Sequence, residues 1–187
     1  MPKVNQWCGG VCRVVLLVVL ALFAWGACSV VPSTHKISGD VFVTMVSGDV
    51  KRGAGIEVVL AAASIVAEAE MNDIVANRAA EYGKARNLYR KTADRGTPDP
   101  LDKALLLIAI DNYAQDIGSV ARKHEVQRVR TDSNGHFEIK DLKSGKYFLF
   151  TRLQVFDEAL VWMVPVDLTK ASQKVDLSNH NQGLPAA

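Results

Sequence analysis

The stretch Thr131–Leu149, TDSNGHFEIKDLKSGKYFL, decides the fold. Asp132-Ser133-Asn134-Gly135 is turn chemistry, because Asn and Gly accept the positive φ that hairpin turns require. Phe137 and Ile139 alternate with His136, Glu138 and Lys140, the period of a half-buried strand. Ser144-Gly145 turns the chain again. Beyond it Tyr147 and Leu149 point one way, Phe148 and Phe150 the other.

The β pattern recurs on both sides of this unit. Upstream, Ser38–Val46 reads as a strand with Val41, Val43 and Met45 on one face. Ser47–Gly55 is a loop rich in Gly, Asp and cations, and it leads into a second β run, Ile56–Ala61. Val126–Arg130 precedes the opening stretch; Tyr147–Val155, Leu160–Leu168 and Gln173–Leu177 follow it. In Leu160–Leu168, Val161, Met163 and Pro165 fall on one side, Trp162, Val164 and Val166 on the other. Pro165 lacks an N–H for a ladder, so it marks an edge or a bulge. About seven short strands without βαβ alternation predict a mainly β chain folded as a sandwich.

Between the early and late strands the character changes. Ser64–Arg95 has no proline and one glycine, Gly83, and is rich in Ala, Glu, Arg and Lys. Met71, Val75, Tyr82 and Tyr89 recur at helical spacing, and Ser64 can cap the start. Arg95-Gly96-Thr97-Pro98-Asp99-Pro100 stops this helix and starts another, with Asp99 as N-cap and Pro100 in the first position. The second helix, about Pro100–Lys123, carries Leu106, Ile110, Tyr113, Ile117 and Val120 in one stripe, widened by Leu101, Leu105 and Ile108. Two helices joined by a short Pro/Gly loop form an antiparallel hairpin, each about 35–40 Å long. The second stripe is broader than the first helix can cover. Part of it packs on the sandwich or on another protein, and Leu101, Leu105, Ile108, Tyr113 and Ile117 are the candidate partner surface.

A chain of 187 residues fits one domain with an insertion. Lys3 and Arg13 lie in an acid-free N-terminal segment; without them Lys and Arg number 20 against 20 Asp and Glu. That balance gives no electrostatic case for a nucleic-acid partner. Two cations, the apolar run Val14–Ala27 and Gly26-Ala27-Cys28 follow the order of a secretory signal. The cysteine after two small residues resembles the lipobox of bacterial lipoproteins, with Trp25 where that family usually carries an aliphatic residue. The resemblance implies cleavage after residue 27, lipidation of Cys28, and a membrane partner reached through several acyl chains. Ser29 implies sorting to the outer membrane. An uncleaved anchor over Val14–Val31 and simple secretion are the alternatives. Of Cys8, Cys12 and Cys28, only the last survives cleavage, so no internal disulfide can form. The expected organisation is a signal peptide at 1–27, a lipidated tether at 28–37, a sandwich at 38–183 interrupted by the hairpin at about 65–124, and a tail at 184–187.

Gly39-Asp40-Val41-Phe42-Val43, Ile56-Glu57-Val58, Thr131-Asp132-Ser133-Asn134-Gly135-His136-Phe137 and Gly145-Lys146-Tyr147-Phe148-Leu149 resemble the carboxypeptidase regulatory-like, or prealbumin-like, domains. Val161–Val164 and Leu177–Asn181 resemble bacterial members with a helical insertion at this point. The resemblance implies a seven-stranded prealbumin-like sandwich and leaves function open. Related hydroxyisourate hydrolases need several histidines and a Tyr-Arg-Gly-Ser terminus, whereas this chain ends Gly-Leu-Pro-Ala-Ala. Isopeptide-forming pilin domains need a Lys and a Glu at positions that hold Met45 and Thr151, so no self-formed cross-link is implied.

No other motif points to an enzyme, a metal or a cofactor. His35, His124, His136 and His180 lack metal-ligand spacing. Asp132-x-Asn134-Gly135 begins like a calcium loop, but the closing Glu would fall at Lys143. The sequence therefore predicts a non-enzymatic envelope lipoprotein that contacts an envelope protein through its hairpin or serves a structural role. The alternative is a module binding carbohydrate or another small ligand, through an outward-facing aromatic among Phe137, Tyr147, Phe150 and Trp162 or the polar turn Ser178-Asn179-His180.

Overall fold

A computed structural model describes residues 34–97, 99–155, 158–181 and 183. The leader, Cys28 and the tail at 184–187 lie outside the described residues. Eleven elements follow in order: β1 His35–Asp40, β2 Phe42–Thr44, β3 Val50–Arg52, β4 Glu57–Ala62, α1 Ile65–Ala93, α2 Pro100–Lys123, β5 Glu125–Arg130, β6 His136–Leu142, β7 Gly145–Val155, β8 Glu158–Leu168 and β9 Ser172–Lys174. A 3₁₀ turn, Asn179–Asn181, comes last.

The fold is a β-sandwich interrupted by a helical hairpin. One sheet has the order β6-β1-β9, the other β5-β4-β7-β8, and β2 pairs with β3 as a separate ribbon. Strand alternation builds two cores from the four-stranded sheet. Val58 and Leu60 of β4 join Tyr147, Leu149 and Trp162 against Ile37, Phe137 and Ile139 of the opposite sheet. Val59 and Ala61 of β4, with Phe150 and Val161, face the helices instead. The two-faced reading of Tyr147–Phe150 and Leu160–Leu168 is therefore what the packing displays.

The described residues form nine strands where the sequence pattern predicts seven, for two reasons. The run Ser38–Val46 is not one strand. It changes partners at Val41, whose N–H donates to the Gly135 carbonyl while its own carbonyl accepts from Gly53 N, both at 2.8 Å. The loop Ser47–Gly55 also holds an unexpected strand, since Val50–Arg52 folds back on Phe42–Thr44. β1 starts at His35, inside the stretch read as the end of the tether, and Ile37 is fully buried.

The opening stretch folds as its turn chemistry dictates. Asp132 Oδ1 accepts from Asn134 N at 2.8 Å and from His136 N at 2.9 Å. Gly135 sits at φ +79°, and a Cβ there would lie 2.6 Å from the Val41 carbonyl oxygen. Conformation and space both demand glycine at that point. Thr131 is buried; its hydroxyl donates to Gly53 O at 2.5 Å and accepts from Ile56 N at 3.0 Å, fastening β5 to the loop before β4.

Candidate functional site

Both helices start where the sequence places caps. Ser64 Oγ accepts from Ala67 N at 3.1 Å, and Asp99 Oδ1 accepts from Leu101 N at 2.8 Å with Pro100 next in line. Three polar clasps hold the pair antiparallel. At the base, Glu70 bonds Lys123 Nζ at 2.5 Å and His124 Nε2 at 3.3 Å. In the middle, Arg78 Nη2 meets Asp116 at 2.7 Å and Nη1 meets Glu81 at 2.6 Å, while Asn112 donates to Glu81 at 3.4 Å. Near the tip, Thr92 Oγ1 donates to Asp102 at 3.2 Å. The Lys123 ammonium, with His124, holds the Glu70 carboxyl below the usual carboxylate range.

The five residues proposed as a partner surface divide in two. Tyr113 (1% exposed) and Ile117 (0%) are inside the molecule, packed with Val59, Ala61, Phe150 and Val161. They are not available to a partner, because the four-stranded sheet already covers that face of α2. Gly118 lets the helix approach: a Cβ there would meet Phe150 Cζ at 2.9 Å. The Tyr113 hydroxyl donates to the Gly183 carbonyl at 2.5 Å, and burial pushes its pKa up to about 12. Leu101, Leu105 and Ile108 remain open, at 66%, 41% and 54% exposure. On α1, Met71 and Tyr82 are buried and Val75 and Tyr89 half-buried, as the weak stripe predicts.

Beside the open ridge, α2 and β7 bound a shallow groove of about 280 Å³ lined by Leu107, Ile108, Asp111, Arg152 and Gln154. The Arg152 guanidinium pairs with Asp111 across it. A second groove of about 300 Å³ lies at the hairpin base, among Glu68, Lys146, Phe148, Pro165 and Asp167.

The remaining candidates serve the fold. Asn179 bonds both backbone groups of Thr44, at 2.8 and 3.0 Å, and Asn181 bonds Ser178 N and Asp176 O, at 2.9 and 2.7 Å. Asn179 fastens the last turn to β2, and Asn181 closes that turn on itself. Trp162 is fully buried, and its Nε1 donates to Ser178 O at 2.8 Å. Phe137, Tyr147 and Phe150 are buried too, so none of the four aromatics offers a sugar platform. His136 faces outward and pairs with Asp40 at 2.9 Å; that contact, with help from Lys174, lowers the Asp40 pKa. Among the described residues no group of three His, Cys, Asp or Glu side chains could hold a metal ion. Among them, too, no helix is long and apolar enough to cross a membrane.

Sequence reasoning passed over the cations beside the open ridge. Arg86 and Arg90, two residues from Leu88, fall on the far face of α1, whereas Lys84 and Lys91 lie one turn from Leu88 and Arg95 follows in the turn beyond the helix; all five are exposed. Their helical spacing was readable. The place of Lys84, Lys91 and Arg95 next to Leu101 and Leu105 depends on how the two helices register.

No family model matches the sequence, and no curated protein does. Solved structures do show similarity. A candidate carbohydrate-binding protein from Pseudomonas aeruginosa aligns at 17% identity and a TM-score of 0.41, over 84% of this chain and 96% of that one. The pilus backbone protein RrgB of Streptococcus pneumoniae aligns at 16% identity and a TM-score of 0.31, over 78% of this chain and 41% of that one. The minor pilin GBS52 of Streptococcus agalactiae aligns at 15% identity and a TM-score of 0.34, over 82% and 46%. This chain thus spans less than half the length of either pilin.

Proposed function

We propose that this protein is a non-enzymatic lipoprotein of the cell envelope, acting as a protein-interaction or structural module whose contact surface is the tip of its helical hairpin. The observation that carries the reading is the ridge Leu101, Leu105 and Ile108, left open on a helix whose other half is buried. Each of the three is about half exposed, so completing its burial would add roughly half of the ~1.5–3 kcal/mol that full burial of such a side chain contributes. Contiguous apolar surface of this kind, rimmed by charge, marks contact sites. The envelope address comes from the leader and Cys28, with Ser29 favouring the outer membrane.

Two measurements test the reading. A photoreactive residue at Leu105, introduced into cells, is expected to cross-link an envelope protein, while the same residue at Ser119 on the sheet-backed half gives no such product. Loss of selectivity between the two positions would remove the tip as a contact surface. The mass of the mature N-terminus is expected to show an acylated Cys28; an unmodified Met1 or unmodified Cys28 would overturn the address.

The small-ligand alternative rests on the groove beside Arg152. At about 280 Å³ it is at the lower limit for ligand pockets, and its cation is already neutralised by Asp111. Thermal-shift screening against envelope polysaccharides is expected to be silent.

A further inference from the structure

The hairpin clasps fix which residues of the two helices lie side by side. Asn112 reaches Glu81 on the exposed side of the pair. Leu88 lies seven residues, or two turns, after Glu81; Leu105 lies two turns before Asn112. The Thr92–Asp102 bond holds the same register one turn nearer the tip. Leu88 (37% exposed) and Leu105 therefore face outward at one level on opposite walls of the interhelical groove, with Leu101 and Ile108 a turn away on either side. On α1 the stripe through Leu88 runs Lys84, Leu88, Lys91, at spacings of four and three, and Arg95 follows in the turn just beyond the helix. These cations, with Arg86 and Arg90 behind them, are in no ion pair among the described residues.

We infer that this outer groove of the hairpin tip is a docking site for an acidic amphipathic helix of a partner protein. The inference rests on the reading of the tip as a contact surface and adds the chemistry of what fits it. Two antiparallel helices with aliphatic residues at spacings of four and three offer the periodicity a third helix matches. The helical wall from Lys84 to the end of α1 at Ala93 extends about 15 Å, nearly three turns. A segment with an apolar stripe seats on Leu88, Leu101, Leu105 and Ile108, and its carboxylates meet Lys84, Lys91 and Arg95. Charge complementarity selects the sign: a second copy of this tip would set cations against cations, which like-charge repulsion disfavours.

The test uses the mature protein purified from membranes and held in phosphatidylcholine nanodiscs; on the proposed reading Cys28 is acylated and Cys8 and Cys12 have left with the leader, so no free thiol competes for the label. Ala104, exposed beside Leu105, is replaced by Cys and labelled with an environment-sensitive fluorophore. The probes are two helix-forming peptides with Leu at the a and d positions, one with Glu at the flanking positions and one with Lys. The Glu peptide is expected to shift the emission, saturably, and to lose affinity as salt rises. The triple variant Lys84→Glu, Lys91→Glu, Arg95→Glu, checked for unchanged helicity and melting, is expected to lose at least about tenfold for the Glu peptide and to gain binding of the Lys peptide. Equal binding of the two peptides, or binding of neither, overturns the inference. So does a shift produced by adding phosphatidylglycerol to the nanodiscs while the Glu peptide produces none, which would make the tip a membrane-facing surface. The cross-linking experiment separates the two levels. A Leu105 cross-link to a protein segment that is not an acidic helix overturns this inference and leaves the contact surface standing; no cross-link at all removes both.

Discussion

The two halves of α2 carry similar side chains and meet different fates. From Ala109 to Ala121 the helix buries Ile110, Tyr113, Ala114, Ile117 and Gly118 against β4, β7 and β8. From Leu101 to Ile108 it leaves three aliphatic residues in water. The offset of the helix along the sheet explains the difference. The helix and the eleven-residue strands β7 and β8 each extend about 36 Å, and β4 only about 20 Å, but they do not begin and end together. Ile108 lies beside Gln154, one residue from the end of β7, and the residues before it run past the sheet. An apolar helix face is thus core or contact surface according to what stands opposite it.

The largest expected effect tests that contrast directly. Ile117→Ala should cost about 2–5 kcal/mol in denaturant unfolding, because it empties a fully buried site. Leu105→Ala should stay within about 0.5 kcal/mol, as an exposed substitution. Equal losses would mean that the tip is as well packed as the base. Gly118→Val should cost about 1–3 kcal/mol, since its new methyl groups would strike the Phe150 ring; the same change at Ala104 should be nearly silent.

Tyr113→Phe should cost about 1 kcal/mol by removing the bond to the Gly183 carbonyl. Its pH dependence has a defined sign. The phenol is held neutral by burial, with a folded pKa of about 12, above the ordinary value of 10.0. Its contribution is fully present below pH 10 and is lost as pH rises from 10 through about 12. Spectrophotometric titration should find one tyrosine ionising late in this range, and Tyr113→Phe should abolish that step. The smallest effect belongs to the base clasp. Glu70 has a lowered pKa, so the bond to Lys123 and His124 holds above the ordinary carboxylate pKa and releases as pH falls through the lowered value. Carboxyl-resolved NMR should show Glu70 titrating below the ordinary carboxylate range, and Lys123→Ala should raise it back toward that range.

Much of the sandwich was legible because strand alternation is local. Tyr147 and Leu149 against Phe148 and Phe150, or Trp162 against Val161 and Met163, could be sorted by parity alone. The hairpin was legible through Ser64, Asp99 and Pro100, whose capping chemistry acts within one turn. The split of Ser38–Val46 was not, because Val41 bonds Gly135 and Gly53, one of them nearly a hundred residues away. Nor was Val50–Arg52, whose three exposed residues carry no alternation and form a strand only by lying against Phe42–Thr44.

At the candidate site the sequence supplied the stripe and could not divide it. Leu101, Leu105, Ile108, Tyr113 and Ile117 all recur at helical spacing, and spacing records a face without recording what covers it. The sequence by itself determined the period of each element, its caps, its turns and the lipobox-like leader, since each depends on neighbours a few residues apart. Only the tertiary structure decided that Tyr113 and Ile117 are core, that Leu88 stands across from Leu105, and that cations border the open groove. Those outcomes depend on where β4, β7 and β8 end beneath α2 and on the register of two helices clasped by distant polar pairs.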